Sequence, residues 1–570
     1  MRLVLSAVLC VLAVPALAAT YEVGPGKAYA TPSDVPWESL GAGDTVLIYW
    51  RSTPYQDKWV ICRQGQAGAP ITVSGVPGAG GELPVIEGID AVTRSQLNFW
   101  NEPRGLIKIG GANTPADLMP QHIVIENLDL KSARPPYSFT GRDGVTAYAA
   151  NAASIYVEKG EHITIRNCIL RDSGNGLFAA AATTDLVVEG NSIYDNGNVG
   201  SIYEHNNYTE VLGITFQYNH FGPLRAGCGG NNLKDRSAGT VIRYNWIESG
   251  NRQLDLVDAE DSTTLVNDPS YRSTWVYGNV LVEPDGAGNS QIVHYGGDSG
   301  TEAWYRKGTL HFYNNTVIST RAGNTTLLRL SSSGEHADVR NNVIHATAGG
   351  AYLAIFDDTG TVDLRTNWLP TGWRQCHCTP TGTVTDVGGQ VTGADPGLVS
   401  LAGQDFHLTA GSTCRDAAGA LASGAYPVTR EYVKHQRNVL RPVVGALDIG
   451  AYEYCTSGCE VDGGVQEDAG GPQEDAGGPQ EDAGGPQEDA GPAPDGGWPT
   501  DGAVADGAVA PDATTDAAGD GAADGAADED GGSGGSVKGG CGCQAAPRAL
   551  APAWLVLAAL ALRRCRRRRR

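Results

Sequence analysis

"IRYNWI", residues 242–247, is the stretch from which the fold is read. Its positions run apolar, any, any, Asn, any, apolar. The same pattern returns in "VEGNSI" (188–193), "FQYNHF" (216–221), "VYGNVL" (276–281), "FYNNTV" (312–317), "VRNNVI" (339–344) and "LRTNWL" (364–369). Two earlier segments, "IENLDL" (125–130) and "IRNCIL" (165–170), fit with Leu128 and Cys168 in the asparagine slot. Successive slots from Leu128 are separated by 40, 23, 28, 26, 34, 36, 27 and 25 residues. A period of this length, carried by short β-rich motifs with variable insertions, predicts a solenoid.

Within each copy the reading is strand, tight bend, strand. The asparagine side chain bonds backbone in the bend, and its backbone tolerates the left-handed conformation. Stacked coil on coil, Asn191, Asn219, Asn245, Asn279, Asn315, Asn342 and Asn367 form an internal ladder and carry the fold rather than chemistry. Helical periodicity is nearly absent, glycine is abundant and β-branched residues crowd the copies. The region 20–454 therefore resembles the right-handed parallel β-helix of the pectin-lyase-like superfamily, which implies an all-β solenoid. "TYEVGPGKAYATPSDVPWESLGAGDTVLIYW" (20–50) reads as an N-terminal cap with a short helix over Val35 to Leu40, leading into a first strand at Thr45. "ALDIGAYEY" (446–454) resembles the closing strand of secreted β-helix proteins. Caps are needed because terminal coils otherwise present apolar faces and unpaired strand edges.

The ends of the chain are of another kind. "MRLVLSAVLCVLAVPALA" has a basic start, an apolar run and small residues at Ala16 and Ala18, the anatomy of a secretory signal peptide over 1–19. From 455 to 540 the chain turns to Gly, Ala, Pro and Asp, with "QEDAGGP" at Gln466, Gln473 and Gln480 and a shortened copy at Gln487. Residues 460–540 hold twenty acidic side chains against the single Lys538, which predicts a disordered, extended stalk. Residues 541–570 contain Cys541 and Cys543, an apolar run from Ala549 to Leu562 and seven arginines among the last eight positions. That ending resembles the MYXO-CTERM sorting tail of myxobacterial surface proteins. The resemblance implies sorting machinery as a partner, outer-membrane attachment, and Cys541 as the processing or lipidation point. Terminal arginines keep the C-terminus on the cytoplasmic side. Fourteen residues make only about 21 Å of helix, short of the roughly 30 Å hydrocarbon core, so the tail reads as transient.

Of the formal charge of −23, the stalk carries −19, the tail +8 and residues 1–459 −12. An exported chain of this balance argues against a nucleic-acid partner. Eight of the twelve cysteines fall between 62 and 459, an even number that permits disulfides without revealing their pairing. The "CHC" of Cys376–Cys378 lacks a second ligand pair at zinc spacing.

A β-helix lumen is filled with apolar side chains, so function falls to the outer sheet faces and the loops. "GGNNLKDRSAGTVIRYNWIESGNRQLDLVDAED" (229–261) gathers Lys234, Arg236, Arg243 and Arg252 close to Asp255, Asp258, Glu260 and Asp261. It is similar to the catalytic coil of the chondroitinase B and alginate lyase family, in which a Lys-Ser motif precedes a ladder asparagine and a Leu-x-Leu-Arg strand. That resemblance implies Lys234 as the base that removes the proton α to a uronate carboxyl, with Ser237 nearby. The pattern departs at Val257, where the arginine is expected, and at "AGCGGNN", where the family's calcium-binding acids have no counterpart.

Elimination needs a base, a cation or metal on the carboxylate and a proton donor for the leaving oxygen. Lys234, Arg236 and His205 are the candidate catalytic residues. Residues two apart on a strand face the same way, so Lys234 and Arg236 share a face and Ser237 takes the other unless a turn intervenes. Asp255 and Asp258 are candidates to hold Ca²⁺ through oxygen ligands or to pair with the cations in an ordinary inter-coil salt-bridge row. Tyr203 and Tyr208 beside His205, Arg252, and His294 with Tyr295 in the later insertion are candidates for sugar binding. Hydrolase signatures of the polygalacturonase type are absent. The expectation is an exported, surface-displayed β-helix that engages a polysaccharide or cell-surface glycan, cleaving an acidic polymer by a lyase-type reaction; the alternative is a non-catalytic adhesin.

Overall fold

A computed structural model describes residues 18–456; the signal segment, the stalk beyond residue 456 and the Cys541 tail lie outside the described residues. The six-residue motifs become the corners of a right-handed parallel β-helix with three parallel ladders. One is a separate 11-stranded sheet running from Val85–Glu87 to Val391–Gly393. The other two are joined by the long strands Ala153–Arg166 and Asn175–Glu189 into a 24-stranded sheet. Alternate residues point inward, as in Ala238–Arg243, where every second side chain is buried. Coil after coil thus adds to one apolar lumen core.

The asparagine ladder forms as read. Asn219 donates both its backbone N–H (3.0 Å) and its Nδ2 (2.9 Å) to Asn245 Oδ1, and Nδ2 also reaches back to Val188 O at 2.8 Å. The same double donation repeats from Asn191 through Asn342, and the row ends when Asn367 donates to Gln390 Oε1 at 2.8 Å. All seven asparagines are fully buried. The left-handed backbone, however, belongs to the residue before each ladder asparagine: Gly190 (φ 62°), Tyr218 (59°), Tyr244 (54°), Gly278 (65°), Asn314 (49°), Asn341 (57°) and Thr366 (54°). The bend must be made one residue early so that the asparagine side chain, rather than its backbone, enters the turn.

Both caps differ from expectation. At the N-terminus the first strand is Thr20–Val23, which pairs with Thr45–Tyr49, and the segment between carries two 3-10 turns, Pro32–Asp34 and Trp37–Ser39, in place of a helix. Pro36 lies between them and breaks any longer helix. Trp37 stacks on Trp59 at 4.7 Å and closes the lumen end. At the C-terminus, "ALDIGAYEY" is not a strand. After Val391–Gly393 the chain turns back across the outside of the 11-stranded sheet. There Phe406 stacks on Trp246 at 5.3 Å; Tyr432, Ala451 and Tyr452 cover Val280, Val282 and Ile318; and Leu408 and Ile449 cover Val343 and Trp368. The outward side chains of that sheet from Trp246 to Trp368 include an apolar stripe that demands a cover, which a terminal strand continuing the solenoid would not supply.

Among the described cysteines, Cys62, Cys168, Cys228 and Cys414 are free thiols, and Cys376 is bonded to Cys378. Cys168 occupies the asparagine slot as a small buried group.

Candidate functional site

Strand register lines up one outward column of side chains on the ladder that contains Leu233–Asp235. Lys108, Tyr156, Phe178, Tyr208, Lys234, Asp255, His294 and Arg329 occupy equivalent positions of successive coils. Equivalent positions stack about 4.8 Å apart. The column changes from aromatic to ionic in a single step, from Tyr208 to Lys234. On the aromatic side Phe178 lies parallel to Tyr208 at 5.0 Å and edge-on to Tyr156 at 5.3 Å.

Alternation puts Lys234 and Arg236 on the outer face, while Leu233 enters the core and Asp235 turns inward to accept from Thr209, Ser237 and Thr240. Ser237 faces inward and takes no part in the outer site. Lys234 Nζ donates to Asp255 Oδ2 at 3.0 Å and to Asp298 Oδ2. Arg236 Nη2 stands 2.8 Å from the other oxygen of Asp298 and 3.1 Å from Glu260 Oε1, and Arg236 Nε donates to Tyr208 Oη at 2.9 Å. Asp298 is thus clamped by both cations at once. It sits in "GGDSG" (296–300), where Gly296 (φ 138°) and Gly300 (φ 80°) adopt backbone suited to glycine. The segment is held by Asp258, whose Oδ1 accepts the Asp298 N–H at 2.8 Å and the Ser299 N–H at 3.3 Å, and whose Oδ2 accepts from Ser299 Oγ.

Charges this deeply placed set each other's protonation. Burial works against the Asp255 carboxylate, yet Lys234, His294 and Arg252 hold it well below the usual range. Asp298 follows the same logic: burial opposes, and Lys234 and Arg236 prevail. Burial, reinforced by Lys234, pushes His205 down to about 3, and burial also lowers His294 against the pull of Asp255. Beside this network Glu210 is raised to about 8, by burial first and Asp261 second.

The anticipated site residues therefore sort into four groups. Lys234, Arg236, Asp255, Tyr208 and His294 meet in one network, with His294 on the strand Gln291–Tyr295 rather than in a loop. His205 lies against Tyr208 at 5.7 Å, but its Nδ1 already accepts the Asn231 N–H at 2.9 Å, which leaves no free lone pair for a substrate proton. Arg252 flanks the column and donates to Gln291 Oε1 at 2.9 Å. Tyr203 is half exposed on a loop, and Tyr295 is buried in the lumen core with no outward face, so Tyr295 is not a binding residue.

The residues present do not fit the expected calcium site. Asp255 accepts from His294 (2.8 Å), Asn231 Nδ2 (2.6 Å) and Lys234, and Asp258 from the Asp298–Ser299 segment, so both carboxylates are taken up by protein donors. Among the described residues no cluster of three or more metal-ligating side chains is assembled.

Asp298, Ser331 and Arg329 were not anticipated. Their signal is the flanking glycines of "GGDSG" and, for Arg329 and Ser331, the phase of Thr325–Leu330 relative to Gln291–Tyr295, readable only once coils are aligned. A depression of about 430 Å³ elsewhere, lined by His122, His162 and Asp185, lies on a different ladder from this network.

Residues 139–317 match the family model described as "Right handed beta helix region". No curated protein matches the chain. Among solved structures, similar folds include the pectate lyase Pel9A, at 12% identity over 76% of this chain and 96% of that one, with a TM-score of 0.40. An alginate lyase from Paenibacillus sp. str. FPU-7 is 9% identical over 61% of this chain and 93% of that one, TM-score 0.36. A GH136 lacto-N-biosidase from Eubacterium ramulus is 11% identical over 66% and 67%, TM-score 0.36.

Proposed function

We propose that the outer face around Lys234 engages an acidic polysaccharide and cleaves it by β-elimination, with Lys234, in its neutral amine form after loss of the ammonium proton, as the base for the proton α to a uronate carboxyl. One observation carries the reading. Lys234 and Arg236 together grip the two oxygens of a single carboxylate, that of Asp298. A uronate carboxylate presents the same two oxygens, and its exchange for Asp298 brings the sugar's α-carbon to Lys234 Nζ. Arg236 then neutralises the carboxylate as charge builds on it, and the Tyr208 hydroxyl, which accepts from Arg236 Nε, is the proton donor to the leaving oxygen. The aromatic steps next along the column suit sugar stacking.

The test is ultraviolet absorbance of unsaturated uronate ends, with the full chain and a panel of uronate polysaccharides, in the presence and absence of Ca²⁺. The expected result is a rising signal that falls by about 10²-fold or more in Lys234→Ala. A second reading, a non-catalytic glycan-binding adhesin, is favoured by the carboxylates of Asp255, Asp258, Glu260 and Asp298, which already pair with Lys234 and Arg236. Glycan binding without any absorbance change on the panel selects that reading. Export, display at the outer membrane and processing at Cys541 belong to the same proposal. Their check is the intact mass and surface protease sensitivity of the mature protein.

A further inference from the structure

The ionic column continues past Asp255 into a second arrangement that the elimination chemistry does not use. His294 Nδ1 lies 2.8 Å from Asp255 Oδ1, and His294 Nε2 lies 2.8 Å from Ser331 Oγ. Asp255 is oriented for this: its other oxygen takes Lys234 and Asn231 Nδ2, leaving Oδ1 to the imidazole. The proton positions follow from the partners. An ionised carboxylate at Oδ1 places a hydrogen on Nδ1, and burial keeps the ring neutral, so Nε2 carries a lone pair. The hydroxyl facing that lone pair belongs to Ser331, whose single proton is shared between Nε2 at 2.8 Å and the Gly297 carbonyl at 2.9 Å.

The serine is placed with equal care. It follows the strand Thr325–Leu330, and its backbone N–H donates to Tyr295 O at 3.1 Å. A Cβ on Gly296 would come within 2.6 Å of Ser331 Cβ and Oγ, so glycine at 296 is what lets the serine reach the ring. Gly297 stands over the hydroxyl, with its N–H 2.8 Å and its carbonyl 2.9 Å from Oγ. Asp255 and His294 are nearly inaccessible, whereas Ser331 is only partly buried and meets the solvent side.

We propose that Asp255, His294 and Ser331 form an acyl-transfer centre that hydrolyses small O-acyl esters carried by a carbohydrate. Ser331 Oγ forms a bond to the ester carbonyl carbon while its proton passes to His294 Nε2. The Gly297 N–H, 2.8 Å from Oγ, is a backbone donor at the site of attack. Collapse breaks the ester C–O bond, and the sugar oxygen leaves with the proton from His294. Water then attacks the acyl-serine and gives its proton to His294. Release of the carboxylic acid returns that proton to Ser331 Oγ. Asp255 touches no substrate; it positions His294 and stabilises the imidazolium. The carbohydrate half of the proposal rests on the reading above, and the ester chemistry does not.

The experiment uses the full chain in three arms. A fluorophosphonate probe followed by peptide mass spectrometry is expected to place the adduct on Ser331. Hydrolysis of p-nitrophenyl acetate is expected to fall by about 10³-fold or more in Ser331→Ala and in His294→Gln, with circular dichroism unchanged. In Ser331→Cys, iodoacetamide is expected to alkylate that thiol faster than in Ser331→Cys/His294→Gln, a difference that a merely structural hydrogen bond does not produce. No adduct on Ser331, together with ester hydrolysis unaffected by Ser331→Ala, overturns the proposal. Acetate release from an O-acetylated polysaccharide, compared with p-nitrophenyl acetate, reads the carbohydrate half separately, so failure there with the adduct present faults the face rather than the triad.

Discussion

His205 and Glu210, which flank the strand Asn207–Thr209, give this protein opposite responses to pH. His205 is neutral in the folded chain down to about 3, whereas its ordinary value is 6.5. Between these the unfolded chain binds a proton that the folded chain refuses, so stability is full above 6.5 and is lost as pH falls. Glu210 titrates at about 8 in the fold against an ordinary 4.5. In that window the folded chain holds a proton that the unfolded chain has released, so stability is full below 4.5 and declines as pH rises toward 8. Each group on its own tilts stability by about 1.4 kcal/mol per pH unit within its window. Urea midpoints across pH are expected to lose part of their alkaline decline in Glu210→Gln, Glu283 and Glu431 supplying the rest, and to lose part of their acid decline in His205→Gln. Unchanged profiles in both variants would show that neither side chain is shielded as the structure has it. The network's core was legible in the sequence as a cluster of charges, because Lys234, Arg236, Asp255 and Asp258 lie within one coil and the next. Asp298 and Ser331 were not, because they come from coils whose offsets are set by insertions of unequal length.

Each coil corner repeats one local solution, and here sequence reading succeeds best. The apolar positions flanking each asparagine enter the lumen, and the asparagine bridges the coils before and after it. Asn245→Ala removes the Oδ1 that accepts twice from Asn219, takes the Nδ2 donor from Phe216 O and leaves Asn279 Oδ1 with only the backbone N–H of residue 245. Leaving such groups unpaired in a dry interior is expected to lower the unfolding free energy by about 3 kcal/mol. A loss below about 0.5 kcal/mol in urea titration would sink the ladder's role as a stabilising element. What the motif did not reveal is that the preceding residue takes the left-handed backbone, even where it is Tyr218, Tyr244 or Thr366. Propensity disfavours a β-branched or aromatic residue there, and the double hydrogen bond of the following asparagine overrides it.

Taken as a whole, the described chain is a solenoid plus a cover. Residues beyond Val391–Gly393 pack onto Trp246, Val280, Val282, Ile318, Val343 and Trp368, all of which face outward from the 11-stranded sheet. Truncation after Gly393 is expected to expose that stripe and to yield a chain that binds a hydrophobic dye and self-associates in sedimentation. A monomeric, dye-silent truncation would show the cover to be dispensable. Composition and periodicity by themselves determined the parallel β-helix, the ladder asparagines and the placing of Lys234 and Arg236 on one face. They did so because period-two alternation and a recurring corner are local, and the chain records local geometry residue by residue. Only the tertiary structure decided that Tyr295 points into the lumen, that the C-terminal segment is a cover rather than a closing strand, and that Asp255 stands between Lys234 and His294. Those outcomes depend on the register between coils and on which sheet face is left apolar, quantities spread over partners tens of residues apart.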